Sequence, residues 1–306
     1  MKLAKRKHCN MDEALSLFIG DRIRANLRPR SIRDYQKLIG VFVDYMGHDK
    51  DIRRLRDADI EGFATYICTR PISDGTKATY LRNAKVFLNW ACQEGYNQHI
   101  DVSRLRVPRM PKKVVRIYTP AEVKMIFDAV DSSGAPWMYV RNCAIILSMY
   151  DSGLRQEEVC TLERKCVSFE EHNMLIKGKG GKERYVPLGQ TPDDAFRTYL
   201  DACPYGSDFF FLNRNGTPMT TNSVRLMVLR INRKLPFDLS SHKLRHNFGT
   251  NYCIDQMKIR GKVDIYSLMY IMGHEDIKTT QRYLHFATKI LATRDHLSHL
   301  DLILQK

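Results

Sequence analysis

A short segment of alternating apolar residues interrupts a chain that is otherwise patterned as helices. Within residues 165–188, Val167 and Phe169 lie two apart, and so do Met174 and Ile176. A period of two is typical of β-strands, whereas most other apolar residues recur every three or four positions, as on one face of a helix. The Gly/Lys-rich run at 177–184 is typical of a hairpin tip. The sequence therefore predicts a mainly α protein with a small three-stranded β-sheet.

A basic segment with two prolines divides the helical pattern in two. Residues 104–116 read Arg-Leu-Arg-Val-Pro-Arg-Met-Pro-Lys-Lys-Val-Val-Arg and have no helical period, which predicts an extended connection. Four amphipathic helices precede it, enough for a small all-α domain. We therefore predict an N-terminal helical domain at 1–103, a basic interdomain linker at 104–118 and an α+β domain at 119–306.

The positive charge is concentrated in the first part of the chain. The formal net charge is +15 over 306 residues. Residues 1–118 hold 24 Lys/Arg against 13 Asp/Glu, and residues 119–306 hold 25 against 21. Such an excess favours a polyanionic partner, nucleic acid above all, over the alternative that the charge only aids solubility.

Cysteine usage and hydropathy point to a reducing compartment and away from membranes. The eight cysteines are scattered and lack a paired CxxC spacing. Together with the lack of a secretory segment at the N-terminus, this predicts reduced thiols and a cytoplasmic location. No apolar run approaches the roughly 20 residues that span a bilayer.

Several side chains near the C-terminus have functional groups that suit a reaction at a phosphate. His242 and Arg245 lie three apart and share one helix face, and His274 follows a glycine at a predicted turn. Tyr283 comes nine residues later in the next helical stretch. Arg can clamp phosphate oxygens, His can move a proton near neutral pH, and Tyr can form a covalent ester.

Two further cations come earlier in the chain. Arg155 begins a helix, and Glu158 one turn later is placed to orient its guanidinium; the alternative is a surface ion pair. Lys179 occupies the tip of the glycine-rich hairpin, where it could deliver a proton or simply be solvated. His242 and His246 have the spacing of a metal pair, but no acidic or thiol ligand stands nearby, so we predict no metal and no cofactor. His246 is interpreted as a structural partner of the helix start.

These motifs, taken in order, resemble the signature of the tyrosine recombinases, the phage-integrase family. They are Gly153-Leu154-Arg155 with Glu158, Gly178-Lys179-Gly180 with Lys182-Glu183-Arg184, His242-Lys243-Leu244-Arg245-His246, Gly273-His274 and Tyr283. The resemblance is strong over residues 119–290. The N-terminal part is similar only in outline to the core-binding, DNA-binding domain of that family. The segment at 256–263 is longer and more basic than is usual in the family.

The resemblance implies a role for each position. Tyr283 corresponds to the nucleophile that takes the 3′-phosphate, and Lys179 to the general acid for the leaving 5′-hydroxyl. The remaining positions are two phosphate clamps, Arg155 and Arg245, and a phosphate-contacting and proton-handling pair, His242 and His274. No step requires a metal ion or ATP, because the ester preserves the bond energy. We further expect the nearby cations to lower the pKa of Tyr283.

The resemblance also implies partners. It predicts a C-shaped clamp on double-stranded DNA with a specific core site, acting as a tetramer on two duplexes, with or without accessory proteins. A separate C-terminal helix at 289–304 would pack either on a neighbouring subunit or on the subunit to which it belongs. Two other functions stay open: a type IB topoisomerase-like nicking and closing enzyme, and a catalytically idle DNA-binding regulator. The filled catalytic positions argue against the regulator.

Overall fold

The computed structural model describes residues 8–108, 116–178 and 181–294. It divides the chain into two compact units with the boundary between residues 113 and 114. We refer to them as the N-terminal and C-terminal units. The described residues are mostly helical and contain a three-stranded antiparallel sheet. The predicted fold class is therefore confirmed.

The N-terminal unit consists of four helices around an aromatic core. The helices are α1 (Met11–Arg24), α2 (Pro29–Met46), α3 (Asp57–Thr69) and α4 (Asp74–Gln93), with 3₁₀ turns at Ile52–Arg54 and Val102–Arg104. Asn10 caps α1 in a reciprocal pair with Glu13, which satisfies two backbone N–H groups at the helix start. Phe18 contacts Phe87 edge to face, with ring centroids 5.6 Å apart, and both rings are fully buried.

The ends of the predicted linker belong to the two units rather than to an extended connection. Leu105 is fully buried in the N-terminal core, and Arg104 pairs with Asp57 and Glu61 of α3. On the other side Tyr118 is buried, and its N–H donates to Asn247 Oδ1 at 2.6 Å. Isolated apolar residues at both ends of the predicted linker, 104–118, therefore pack into the cores of the two units. Residues 109–115 lie outside the described part.

Among its described residues the C-terminal unit has eight helices and the sheet. Its elements are α5 (Pro120–Asp128), α6 (Pro136–Tyr150), α7 (Gln156–Thr161), β1 (Val167–Ser168), β2 (Asn173–Lys177), β3 (Glu183–Pro187), α8 (Gln190–Ala202), α9 (Thr221–Asn232), α10 (Ser241–Arg260), α11 (Ile265–Met272) and α12 (Ile277–Arg294). The largely buried helix α6 packs against α7, α8 and α10. Thr119 and Glu122 form the capping box that starts α5, with Pro120 in the first turn.

The sheet has the order β1-β2-β3, and both strand pairs are antiparallel. Ile176 of β2 lies opposite Arg184 of β3. Burial alternates along β3, so Arg184 and Val186 face the protein while Tyr185 between them is exposed. An arginine on the inner face of a strand is unusual and needs a partner.

The last helices include the basic segment at 256–263 and differ from one prediction. The basic segment at 256–263 is mostly helical, because α10 continues to Arg260 and ends at Gly261 in a left-handed conformation. The prediction that a separate tail helix begins at residue 289 is wrong. Lys289 lies inside α12, which runs from Ile277 to Arg294 without a Gly or Pro to interrupt it. Residues 295–306 lie outside the described part.

Within the described ranges, no helix has both the length and the hydropathy required to cross a membrane. The eight cysteines all fall in these ranges, and none forms a disulfide.

Replacing Phe87 by Ala should destabilise the N-terminal unit by about 3–5 kcal/mol, because it removes a fully buried ring and leaves a cavity. The neighbouring Val86 is 39% exposed, so Val86→Ala on the same helix is the matched control and should change little. Urea unfolding followed by Trp90 fluorescence in a Trp137→Phe background measures this unit. A loss below about 1 kcal/mol for Phe87→Ala would contradict the assigned core.

Candidate active site

The site is organised by the turn that ends α11. Gly273 adopts a left-handed conformation with φ 59° and ψ 50°, which glycine tolerates without steric cost. The N–H groups of Gly273 and His274 close the helix end on the carbonyls of Tyr270 (2.9 Å) and Met269 (3.1 Å). His274 therefore follows the helix directly, at a turn between α11 and α12, as the sequence predicted.

Three arginines from different elements meet the last three carbonyls of this turn. The pairs are Arg184 Nε with Ile271 O (2.8 Å), Arg245 Nη2 with Met272 O, and Arg155 Nη2 with Gly273 O (2.9 Å). The final carbonyls of a helix have no partner within the helix, and they carry the negative end of its dipole. They therefore attract the guanidinium groups and hold them at fixed positions.

A single carboxylate, Glu158, serves all three guanidiniums. It accepts from Arg155 Nη1 at 2.8 Å and from both terminal nitrogens of Arg184 at 2.9 Å; Arg245 Nη1 lies 3.9 Å away. Burial alone would raise the pKa of Glu158, but the Arg184 hydrogen bonds and charge and the Arg155 N–H outweigh it, so the pKa lies below its usual value. One negative charge thus faces three positive charges.

Arg245 remains cationic although it is buried. Its residue is 5% exposed, and Nη1 also donates to the carbonyl of Gly153. Burial and the neighbouring Arg155 charge lower its pKa to about 10. At neutral pH the guanidinium keeps its proton, so the uncompensated positive charge at the turn persists and suits an anion.

His274 is neutral, and its contacts fix where its proton sits. Arg245 Nη2 lies 3.3 Å from His274 Nε2. A guanidinium can only donate, so Nε2 accepts and the proton resides on Nδ1. Nδ1 is 2.9 Å from the hydroxyl of the buried Thr280. Burial and the charges of Arg245 and Arg155 lower the pKa of His274 to about 4.

Tyr283 lies in α12 beside this cluster and is 4% exposed. Its ring is parallel to that of His274, with 9° between planes and 6.0 Å between centroids. On another side it packs against Gly249 of α10, where any Cβ would lie 2.9–3.0 Å from the ring carbons. The backbone therefore allows this close approach only without a side chain at position 249.

The expectation that nearby cations lower the pKa of Tyr283 is wrong. Burial raises the pKa above its usual value, and the opposing charges of Arg245, Arg282 and Arg155 do not overcome it. The cations are present, as the sequence suggested, but the depth of burial could not be read from the residue pattern. In the free protein the phenol is protonated at neutral pH.

His242 and His246 occupy the first turns of α10 on the site side. Their Nε2 atoms lie 2.8 Å apart, and the ring of His246 is 5.4 Å from that of Tyr283. Burial and the charges of Arg245 and Arg282 lower the pKa of His242. His246 thus contacts the helix start, in line with the sequence interpretation, and also lies next to the tyrosine.

Lys179 lies outside the described residues, so its predicted place at the hairpin tip is not described. The base of the hairpin is closed by Gly178 N–H, which donates to the carbonyl of Lys182 at 2.7 Å. Lys182 in turn pairs with Glu275, the residue after His274, at 2.8 Å. The other five predicted site residues, Arg155, His242, Arg245, His274 and Tyr283, are brought together.

Sequence reasoning missed three residues that shape this site. Arg184 was noted only as part of a motif, although its inward position in an alternating strand was a usable signal. Thr280 and Gly249 had no local signal, because their roles depend on contacts between helices that are distant in sequence. In the described ranges no group of three or more His, Cys, Asp or Glu side chains could hold a metal ion.

Comparison with known proteins agrees with this architecture. The fold is that of a tyrosine recombinase catalytic domain. The profile of the Phage integrase family matches residues 116–289, and the chain belongs to that family. It is 26% identical over 306 residues to the tyrosine recombinase XerC of Anoxybacillus flavithermus, covering 96% of this chain and 97% of that protein.

Two solved structures share the fold at low sequence identity. The Tn1549 transposon integrase in complex with a circular intermediate DNA aligns with a TM-score of 0.69 and 21% identity, covering 90% of this chain and 95% of that chain. A lambda integrase dimer bound to a COC′ core site aligns with a TM-score of 0.73 and 14% identity, covering 90% and 77%.

Replacing Arg184 by Gln should destabilise the C-terminal unit by about 3–5 kcal/mol. Both Arg184 and Glu158 are buried, and the substitution leaves a buried carboxylate without its main partner. Lys182→Gln, two residues away, breaks an exposed ion pair and should leave the unfolding midpoint unchanged. Thermal unfolding compares the two; equal midpoints would contradict a structural role for the Arg184–Glu158 pair.

Stability of the C-terminal unit should fall as the pH is lowered from about 6.5 to about 4. The unfolded chain takes up a proton on His274 near pH 6.5, whereas the folded chain does so only near pH 4, so protonation favours unfolding within this window. His274→Asn keeps a donor in place of Nδ1 and should make the pH dependence shallower. His285→Asn, at an exposed position of α12, should leave the pH dependence of stability unchanged. Identical slopes of unfolding free energy for His274→Asn and wild type would argue against a neutral His274.

Proposed function

We propose that this chain is a site-specific DNA recombinase that cuts and rejoins DNA through a covalent 3′-phosphotyrosyl intermediate. The observation that carries the proposal is the cluster of three guanidiniums that share one carboxylate beside a buried phenol. Such a cluster suits a phosphodiester, because guanidinium groups bind phosphate oxygens through paired hydrogen bonds. Membership of the Phage integrase family supports the same assignment.

The cleavage step follows from this geometry. The Tyr283 oxygen attacks the scissile phosphorus, the bond to the 5′-oxygen breaks, and the phosphate remains on the 3′ end as an ester of Tyr283. Arg155 and Arg245 offer donors to the non-bridging oxygens and stabilise the charge of the pentacoordinate transition state. Their attachment to the carbonyls of the α11 turn keeps them preorganised.

Two proton transfers accompany this step. Because the phenol of Tyr283 is protonated in the free protein, a base must take its proton during attack. His242 and His274 are neutral imidazoles in the free protein, so they are available for proton transfer and for contact with the phosphate. By family resemblance Lys179 supplies the proton to the leaving 5′-oxygen. One proton leaves and one arrives, so the charge balances.

Rejoining is the reverse reaction with a different 5′-hydroxyl as the nucleophile. The chain is therefore proposed to act on double-stranded DNA with a specific core site, as a tetramer that holds two sites, with accessory proteins as optional partners. The basic excess of residues 1–118 supports binding of the DNA backbone by the N-terminal part. Free cysteines and DNA as substrate fit a cytoplasmic location.

Covalent capture on nicked DNA tests the proposal. Duplexes with a randomised core and a nick near the scissile position trap the intermediate, because the short cleaved fragment diffuses away. We expect a 3′-linked adduct that survives denaturing electrophoresis and forms in EDTA. Tyr283→Phe should form no adduct, while Tyr266→Phe, at a position that is 71% exposed, should react normally.

Sequencing of the trapped DNA gives the core site for exchange assays. Strand exchange between two such sites supports the recombinase. Relaxation of supercoils without exchange would instead favour a topoisomerase-like enzyme. Binding without any adduct from the randomised library would favour an idle regulator and contradict the proposal.

A further inference from the structure

Two imidazoles at the start of α10 share one hydrogen bond. His242 and His246 lie one helical turn apart, their Nε2 atoms are 2.8 Å apart, and their ring planes cross at 81°. A hydrogen bond at this distance needs one N–H and one lone pair. One ring must therefore donate through Nε2 and the other must accept through Nε2.

The other nitrogen of His246 decides which ring donates. His246 Nδ1 is buried and has no hydrogen-bond partner among the described residues. If His246 accepted at Nε2, its proton would sit on Nδ1 as a buried N–H without an acceptor, which is rarer in proteins than an unused acceptor. If His246 donates at Nε2, Nδ1 holds only a lone pair. The second arrangement is favoured.

A doubly protonated His246 would also donate, but the surroundings oppose it. Burial, His242 and the charges of Arg282 and Arg245 lower the pKa of His246 to about 4. At neutral pH His246 is therefore neutral, with its single proton on Nε2. The acceptor, His242, then has its own proton on Nδ1.

We propose that His246 is a positioning residue that fixes His242 as the Nδ1–H tautomer. His242 then offers the site a hydrogen-bond donor, while its basic Nε2 is already occupied. In the reaction proposed above, on which this consequence rests, His242 donates to a phosphate oxygen rather than taking the proton of Tyr283. The proton of Tyr283 then goes to His274, the other neutral imidazole of the site.

The position of His246 supports this role. Its ring centroid lies 4.2 Å from that of His242 and 5.4 Å from that of Tyr283. Its backbone carbonyl also accepts from the Thr250 hydroxyl at 3.0 Å. His246 thus links the imidazole at the helix start to the ring of the nucleophile without an assigned contact to the substrate.

The tautomer can be measured in the free protein, without DNA. Long-range ¹H–¹⁵N correlation spectra of the full chain labelled with ¹⁵N-histidine report which ring nitrogen carries the proton, and a His242→Gln variant assigns the signals. We expect His242 to be protonated on Nδ1 at pH 7.5. In His246→Leu the signals of His242 should move to a mixture of both tautomers, while those of His285 stay unchanged. A wild-type His242 protonated on Nε2 would overturn the proposal.

A kinetic arm tests the consequence for cleavage. Glutamine at position 246 places an amide N–H near the former Nε2, whereas leucine has no donor. On the trapped core site, His246→Leu should slow single-turnover cleavage by about 10- to 100-fold, the range known for loss of the hydrogen-bond partner of a metal-ligating imidazole. His246→Gln should recover most of the rate, and both variants should bind DNA like wild type.

The spectra and the cleavage rates together distinguish failure of this proposal from failure of the proposed function. Equal rates for His246→Leu and wild type, or equally slow Leu and Gln variants, would contradict a positioning role of the donor. If wild type forms no adduct at all, the proposed function fails, and the spectra still decide the tautomer. If His246→Leu does not fold, the wild-type spectrum and the Gln variant give the answer.

Discussion

The attachment of three arginines to the last carbonyls of α11 is the interaction on which the site depends. It joins elements that are far apart in sequence: the start of α7, strand β3, helix α10 and the turn itself. Gly273 makes this possible, because its left-handed conformation ends the helix and exposes the carbonyls, and a Cβ there would crowd Arg184 at 3.1 Å.

At this turn Arg184 has a supporting role, whereas the positive charge that Glu158 does not neutralise is available to bind an anion. Arg184 uses its donors on Glu158 and the Ile271 carbonyl, so it holds the carboxylate that in turn orients Arg155. Since Glu158 carries one charge, the cluster keeps a positive excess in a partly desolvated place, where charge interactions are stronger than in water. Burial, together with this positive excess, keeps the nearby imidazoles neutral, and an incoming anion would offset the excess.

Much of this architecture could be predicted from local sequence signals. The glycine after α11 and the alternation that marks the sheet both act over a few residues, and both are present in the structure. The spacing of the motifs also identified five residues that the fold brings together. The function of the chain followed from their order rather than from any single residue.

The remaining features depend on tertiary packing and could not be predicted in this way. The prediction of a separate tail helix was wrong because α12 continues through Lys289 without a Gly or Pro to end it. The pKa of Tyr283 moved opposite to expectation because burial, which local spacing does not reveal, outweighs three nearby cations. The contact of Tyr283 with Gly249 and that of His274 with Thr280 join helices whose approach no local pattern encodes.

In the proposed reaction, two guanidiniums held at the α11 turn and the phenol of Tyr283 on α12 meet at a single phosphate. A crystal structure of the Tyr283→Phe variant bound to its core site measures this directly. We expect one backbone phosphate with its non-bridging oxygens about 3 Å from guanidinium nitrogens of both Arg155 and Arg245, next to the ring at position 283. A complex in which the DNA phosphates contact neither arginine would contradict it.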